Sequence, residues 1–253
     1  MKNAVVLGKG MVGNATMHEL GIKDYYSRSS GTVKREELSN FKYVFICLPT
    51  PTVNGQQDDT YIREYIIEIG KKNPDAIFII RSTVLPGFCR SFQGIVKLVH
   101  VPEFLTEKTW KQDSEWADIV VVGSDDDKLR NEVAGIFKAR HKGATFFLVD
   151  TITSEMIKYA INTLYALKVV FANQIFDYCR NIGANYNVIK DAMYARKWIG
   201  KNHLEVWHQG NRGAGGKCLE KDLEALAGES DLPLLKVANM LNKEYLNGST
   251  KVN

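Results

Sequence analysis

The stretch AVVLGKGMVGNATMHEL, residues 4–20, decides how the chain is to be read. Four apolar residues suited to a buried strand run into Gly8-Lys9-Gly10-Met11-Val12-Gly13, and the residues beyond carry helical spacing with no proline to interrupt them. A GxGxxG pattern says little alone and much when it joins a strand to a helix. The first glycine permits the tight turn, the second lets a diphosphate approach the backbone, and the third lets helix pack on strand. The helix N-terminus then offers its N–H groups to the anion. The unit predicts a dinucleotide site formed by Gly8, Gly10, Met11, Val12 and Gly13.

Outward from this turn the pattern repeats. The β-rich runs YVFICLP, AIFIIRS, KLVHV, DIVVVG and TFFLV alternate with the helical patterns DDTYIREYIIEIGKK, PGFCRSFQ and DDDKLRNEVAGIFKAR. Such alternation predicts βαβ units in an α/β fold, a Rossmann-like, doubly wound parallel sheet covered on both faces, over residues 1–150. Beyond Asp150 the strand signal ends, and TSEMIKYAINTLYALKVVFANQIFDYCRNIG keeps helical spacing without a proline or an internal glycine. At 1.5 Å per residue this helix is about 45 Å long, more than one small domain covers. Residues 151–253 are thus expected to form an all-helical domain that dimerises through the long helix; cover by later helices of the same chain is the alternative. No internal repeat is present, and the tail LNGSTKVN reads as a frayed end.

Composition narrows the class. With 45% hydrophobic and 25% charged residues the chain has the make-up of a folded globular protein. No apolar run approaches the roughly 18 residues of a membrane helix, and MKNAVVLGKG lacks a signal peptide's features, so a cytoplasmic protein with no membrane contact is expected. Cys47, Cys89, Cys179 and Cys218 are scattered with no CxxC spacing, which fits a reducing compartment and argues against a metal site. A net charge of +4, spread along the chain, argues against nucleic acid as a partner.

Three further stretches bear on chemistry. About twenty residues past the glycine turn, where an acidic residue normally holds the adenosine ribose of NAD, the sequence reads Tyr26-Ser27-Arg28-Ser29-Ser30. Arg28 could pair with a 2′-phosphate, which predicts a weakened preference for NAD and leaves NADP open; a solvated surface charge is the other reading. Lys158 and Asn162 lie four apart on the long helix and share a face suited to an oxyanion. GAGGKCLEKD, residues 213–222, sets Cys218 after Gly213, Gly215 and Gly216, which let the backbone crowd a ligand. Lys221 and Asp222 follow at near-helical offsets, and Lys158, Lys217 and Lys221 are candidates to favour a thiolate.

GKGMVG, LPTP at 48–51, RSTVLPG at 81–87, VPEFLTE at 101–107, SEMIKYAIN at 154–162 and GAGGKCLEKDL at 213–223 occur together and in this order. With them the chain resembles the UDP-glucose/GDP-mannose dehydrogenase family, the nucleotide-sugar dehydrogenases. The resemblance implies an oxidoreductase using NAD, which oxidises a sugar C6 alcohol to a carboxylate in two hydride transfers through a cysteine adduct. UDP-glucose is the implied substrate and polysaccharide synthesis the implied setting. Cys218 is then the nucleophile, Lys158 and Asn162 stabilise alkoxide and tetrahedral species, and Thr83, Glu103 and Asp222 hold or activate water. Pro49, Thr50, Thr83, Glu107 and Lys221 are the implied further cofactor contacts, and Phe104, Leu105, Lys158, Asn162 and Gly215 the implied substrate contacts. The chemistry agrees: a thiolate adding to an aldehyde creates the tetrahedral carbon from which a hydride leaves, and water releases the thioester as an acid. The other three cysteines read as packing residues.

Three departures set alternatives beside this reading. Family chains continue into a second Rossmann-like domain for the nucleotide of the sugar, so a partner protomer or a separate chain is an expected supplier of it. The family's arginine before an IG dipeptide is replaced in register by Trp198 before Ile199-Gly200, with Arg196 and Lys197 upstream. Ala214 and Glu220 stand where the family has an aromatic residue and a proline. A catalytically silent or partner-dependent nucleotide-binding subunit is one alternative. A one-step hydroxyacid dehydrogenase, which has no use for Cys218, is the other.

Overall fold

The structure is a computed structural model and describes residues 1–208, 210–216 and 218–248. The chain divides into two compact units: Met1–Pro51 with Gln57–Lys158, and Thr52–Gln56 with the chain from Tyr159 on.

The first unit is built on a sheet of seven strands: β1 (Ala4–Leu7), β2 (Asp24–Tyr26), β3 (Tyr43–Ile46), β6 (Ile77–Ile80), β7 (Lys97–His100), β8 (Ile119–Gly123) and β9 (Thr145–Val149). Two short strands, β4 (Thr52–Val53) and β5 (Gln56–Gln57), pair in a hairpin of their own. The order across the large sheet is β2-β1-β3-β6-β7-β8-β9. Strands β1 and β6 are buried at every residue, because apolar side chains are covered on both faces, as a doubly wound sheet requires. On one face Val5, Leu7, Val44, Ile46, Phe78 and Ile80 meet Ile62, Ile66 and Ile69 of α2 (Thr60–Lys72). On the other, Ala4, Val6, Phe45, Ile77, Ile79 and Val122 meet Leu129, Val133 and Phe137 of α4 (Asp127–Arg140). Each fully buried Val, Ile, Leu or Phe contributes about 1.5–3 kcal/mol. The glycine turn leads into α1 (Met11–Leu20).

The α/β fold and the doubly wound sheet are those expected from the sequence, with two local differences. The β7–β8 junction is antiparallel, joined at His100 and Gly123, so β8 and β9 run against the other five strands. The intervening chain forms no crossover helix of usual length: it holds an irregular segment and the six-residue α3 (Trp110–Glu115), whose Trp110 meets the His18 ring of α1 edge-on. PGFCRSFQ holds only a 3-10 turn at Cys89–Phe92.

The long helix α5 covers Thr151–Ile182, 32 residues. In the second unit it is followed by α6 (Tyr186–Ala195), α7 (Leu219–Glu229) and α8 (Pro233–Leu246). Between α6 and α7 lies a small antiparallel hairpin, β10 (Trp207–His208) and β11 (Asn211–Arg212), absent from the helical expectation. Buried Arg212 fixes β11: its Nε donates to Asn173 Oδ1 (2.8 Å) and its Nη2 pairs with Asp177 (2.8 Å). No helix among the described residues is long and apolar enough to cross a membrane. Of the expected frayed tail LNGSTKVN, residues 246–253, Leu246 is the last residue of α8 and Asn247 its C-cap, while residues 249–253, like residues 209 and 217, lie outside the described residues.

Candidate functional site

In the first unit, the three glycines of the turn meet different surroundings. Gly8 has φ +97°, and a Cβ there would stand 2.4 Å from Cys47 O. A Cβ on Gly13 would lie 1.9 Å from Gly8 O, so the helix can sit this close to the turn only with hydrogen in that place. A Cβ on Gly10, by contrast, would meet nothing within 4 Å. Gly10 caps α1 with no side-chain acceptor, and no acidic residue occupies the first turn, where Met11 and Val12 are half-buried. Open space, N–H groups without a side-chain cap and no opposing carboxylate fit a diphosphate. Arg28 is exposed at the end of β2, its guanidinium 3.7 Å from the centroid of the Tyr61 ring.

The loops at the ends of β3, β6 and β7 carry the next group. Thr50 is buried, and its Oγ1 donates to Thr83 O (2.7 Å), while Gln57 Nε2 donates to the same carbonyl (3.2 Å). Pro49 beside them is exposed. Glu103 is buried after β7; its Oε2 accepts from Leu105 N–H (2.7 Å). Lys158 Nζ donates to Glu103 O (2.6 Å) and stands 3.3 Å from Oε1, with both side chains 5% exposed. The Phe104 ring centroid lies 5.2 Å from the same ammonium; Leu105 is half-buried and Glu107 exposed.

The first turns of α5 hold these loops. His100 Nδ1 and Ser154 Oγ are 2.8 Å apart, and the Glu155 carboxylate accepts from Gly87 N–H (2.6 Å) and Cys89 N–H (2.8 Å). Burial pushes His100 down to about 3, leaving its ring neutral at ordinary pH, and pushes Glu155 up against the backbone donors that favour its charge. Sequence reading missed His100, Ser154, Glu155 and Gln57. The signal for two of them was the run of polar residues Ser154, Glu155 and Lys158 within one turn of an otherwise apolar helix.

In the second unit, Cys218 is the N-cap residue of α7 and is half-buried. Cys47, Cys89 and Cys179 are buried, and burial pushes Cys47 up to about 12 and Cys89 well above the usual thiol range. Cys218 thus stands apart in both exposure and position, since a helix N-terminus favours an anion. One turn on, Asp222 is fully buried and held from both sides: Asn162 Nδ2 donates to Oδ2 (2.6 Å) and Lys221 Nζ to Oδ1 (2.5 Å). Lys221 O accepts from Thr52 Oγ1 (3.0 Å). The glycine-rich loop is tied to α8 by Asn242, whose side chain bonds both Ala214 N–H (2.7 Å) and Ala214 O (3.1 Å). Gly215 is half-buried, and a Cβ on it would touch Leu246 at 3.2 Å. Lys158 and Asn162, expected to share one oxyanion, are each taken up by a different carboxylate, Glu103 and Asp222. Arg196 ends α6 exposed, beside the exposed Trp198, and Glu220 lies half-buried in the first turn of α7.

Comparison with known proteins gives these residues their context. The pattern of the UDP-glucose/GDP-mannose dehydrogenase family, NAD binding domain, matches residues 26–141, and that of the same family's central domain matches residues 152–244. UDP-glucose 6-dehydrogenase of Rickettsia prowazekii is 32% identical over 200 residues, 75% of this chain and 45% of that protein. The chain spans about half the length of the curated relatives it matches. A UDP-glucose dehydrogenase structure from Pyrobaculum islandicum superposes with a TM-score of 0.80 at 22% identity, covering 95% of this chain and 67% of that one. A 3-hydroxyisobutyrate dehydrogenase structure from Mycobacterium tuberculosis shares the fold at a TM-score of 0.71 and 14% identity, covering 98% and 94%. With both of the family's domain patterns matched in order, the chain belongs to the UDP-glucose/GDP-mannose dehydrogenase family.

Proposed function

We propose that the protein is an NAD(P)-dependent nucleotide-sugar 6-dehydrogenase acting on UDP-glucose to give UDP-glucuronate. Residues 1–150 are its dinucleotide domain, and 151–253 its central domain carrying the nucleophile. The observation that carries this reading is Cys218, the one cysteine that is not buried, placed at the start of α7 one turn from an Asp222 held between Asn162 and Lys221.

The turn of Gly8, Gly10, Met11, Val12 and Gly13 holds the dinucleotide, with Pro49, Thr50, Thr83, Glu107 and Lys221 as its further contacts. Bound there, the cofactor supplies the hydride acceptor. The chain's own residues do the rest. Lys158 and Asn162 donate to the alcohol oxygen as it becomes an alkoxide and then a carbonyl, its proton passing to the water and the carboxylates of Glu103 and Asp222, and they exchange their present carboxylate partners for it. The Cys218 thiolate adds to the aldehyde carbon, forming a C–S bond and a tetrahedral alkoxide on the same donors. After the second hydride leaves, the thioester is cleaved by water. Asp222, Glu103 and Thr83 orient that water, and a carboxylate takes its proton as the thiolate departs. Phe104, Leu105 and Gly215 line the sugar.

A homodimer through α5 is supported by Leu164, Phe171, Tyr178 and Ile182, which form one exposed apolar stripe at sevenfold and fourfold spacing. The cytoplasm is the proposed compartment, supported by the scattered spacing of the cysteines.

The test is reduced cofactor formed per UDP-glucose consumed, in the presence and absence of Cys218→Ser. Two hydrides per sugar are expected from the intact protein and no acid from the variant. A one-step hydroxyacid dehydrogenase is the second reading, resting on a lysine four residues before an asparagine, Lys158 and Asn162, on a long helix that follows a Rossmann-like domain. In that case Cys218→Ser keeps nearly full turnover.

A further inference from the structure

We infer that the end of β2 is a binding site for a phosphate monoester, the ribose 2′-phosphate of a nicotinamide dinucleotide, so that this protein selects NADP over NAD. The inference rests on the dinucleotide reading of the Gly8–Gly13 turn and adds the group that discriminates between two such cofactors.

Gly8 N–H donates to Tyr26 O at 2.9 Å, so the last residue of β2 lies directly against the glycine turn. In this architecture the adenosine ribose falls at that strand end. A carboxylate there accepts hydrogen bonds from the ribose hydroxyls of NAD, and it repels a 2′-phosphate; an arginine does the reverse. Here the chain continues as Ser27-Arg28-Ser29-Ser30 with no carboxylate. The segment closes on itself as a tight turn: Ser27 N–H donates to Ser30 O (2.8 Å), Ser30 N–H donates to Ser27 O (3.3 Å), and the Ser27 and Ser30 hydroxyls are 3.0 Å apart. Arg28 therefore projects from a backbone that is already ordered.

Two cations flank this turn and neither is in a salt bridge among the described residues, Glu64 acting on Arg28 only at longer range while it pairs with Arg35. Arg28 lies 3.7 Å from the centroid of the Tyr61 ring and hydrogen-bonds the Tyr61 side chain, which holds the guanidinium in place and takes up only part of its five N–H donors. Lys9, inside the glycine turn, has its Nζ 2.7 Å from Tyr25 Oη. Arg35, farther along the same segment, is the contrast: its guanidinium is neutralised by Glu64 and Glu68, at 2.5 and 2.6 Å. A site that needed only to tolerate solvent would have no reason to neutralise one arginine and present the other on an aromatic plate. A phosphate monoester carries nearly two negative charges at pH 7 and takes several charge-assisted hydrogen bonds, which two cations outside any salt bridge can offer, the Ser27 hydroxyl being left to its turn, where it donates to Ser30 O (2.8 Å).

The experiment is calorimetric titration of the full chain with NADP and with NAD, repeated on Arg28→Ala and Ser27→Asp. NADP is expected to bind at least tenfold more tightly than NAD. Arg28→Ala should shrink that ratio at least fivefold, and Ser27→Asp should reverse it by placing a carboxylate where the ribose lies. NAD binding as tightly as NADP overturns the inference and leaves the dinucleotide site standing. A preference for NADP that survives Arg28→Ala also overturns it, because the phosphate then sits elsewhere. Binding of neither cofactor removes the dinucleotide site and the inference together.

Discussion

The chain has two glycine-rich turns, at Gly8–Gly13 before α1 and at Gly213–Gly216 before α7, and they differ in what surrounds the glycines. In the first, glycines are required by backbone: Cys47 O and Gly8 O occupy the places where a Cβ of Gly8 or Gly13 would go. In the second, side chains set the limit: a Cβ on Gly213 would meet Asn242 Oδ1, Tyr245 and Leu246 at 3.1–3.2 Å. The helix after the first turn has no acid in its opening turn, whereas the helix after the second carries Glu220 and Asp222 there. A helix N-terminus without acids is left to attract a diphosphate; one with acids has part of its positive end answered already. The difference teaches that a glycine-rich turn before a helix is no signature of anion binding by itself. What the first turn of the helix carries decides how much of the dipole is left for a ligand.

The largest effect that follows is at Gly13. In Gly13→Ala the new methyl group is opposed by Gly8 O at 1.9 Å, and a carbonyl in a turn fixed by Gly8 N–H to Tyr26 O cannot step aside. A loss of more than about 4 kcal/mol is expected, read as a collapse of soluble yield or of the urea midpoint. A midpoint near that of the intact protein would show that the helix can shift on the strand. Gly213→Ala comes next. Its φ of +84° costs an alanine about 1–2 kcal/mol, and the three opposing side chains can yield by a few tenths of an ångström. The midpoint should drop measurably while the protein still folds. If Gly213→Ala cost as much as Gly13→Ala, side chains and backbone would be equally unyielding and the contrast between the turns would fail.

The first turn was legible in the sequence as a strand-to-helix junction, because three glycines between a continuous apolar run and a helical pattern mark a tight turn. Continuous apolar runs announced strands covered on both faces, and the spacing of TSEMIKYAIN through CRNIG announced α5. The reversal of β8 was not legible, since periodicity reports which face a residue takes and not the direction of the neighbouring strand. Nor was the hairpin β10–β11, whose two-residue strands are too short to show alternation. At the site, Cys218, Lys158, Asn162 and Asp222 could be singled out by type and spacing, but their partners could not. Glu103 reaches Lys158 from 55 positions away and Asp222 reaches Asn162 from 60, and such pairings are fixed by tertiary packing. His100 and Glu155 were hidden for the same reason: each acts on backbone or hydroxyl groups of segments distant in sequence.

The smallest change in stability belongs to the residue that tests the comparison most sharply. Gly10 has an extended backbone, with φ −76° and ψ −166°, that an alanine adopts without strain, and its Cβ would stand clear of every described atom by 4 Å. Gly10→Ala should therefore shift the unfolding midpoint by less than about 1 kcal/mol, the modest difference between glycine and alanine at a helix N-cap. Packing gives no reason for glycine at this position, and beyond the N-cap preference a group approaching the backbone from outside would supply one. If that is a diphosphate, the methyl group holds it off the N–H groups of α1, and the affinity for the dinucleotide should fall at least tenfold, about 1.4 kcal/mol, in a protein otherwise as stable as before. The two readings separate cleanly, because Gly13→Ala damages fold and binding together while Gly10→Ala damages binding alone. An unchanged dinucleotide affinity in Gly10→Ala would mean that the open space at the first turn of α1 is not where the diphosphate rests.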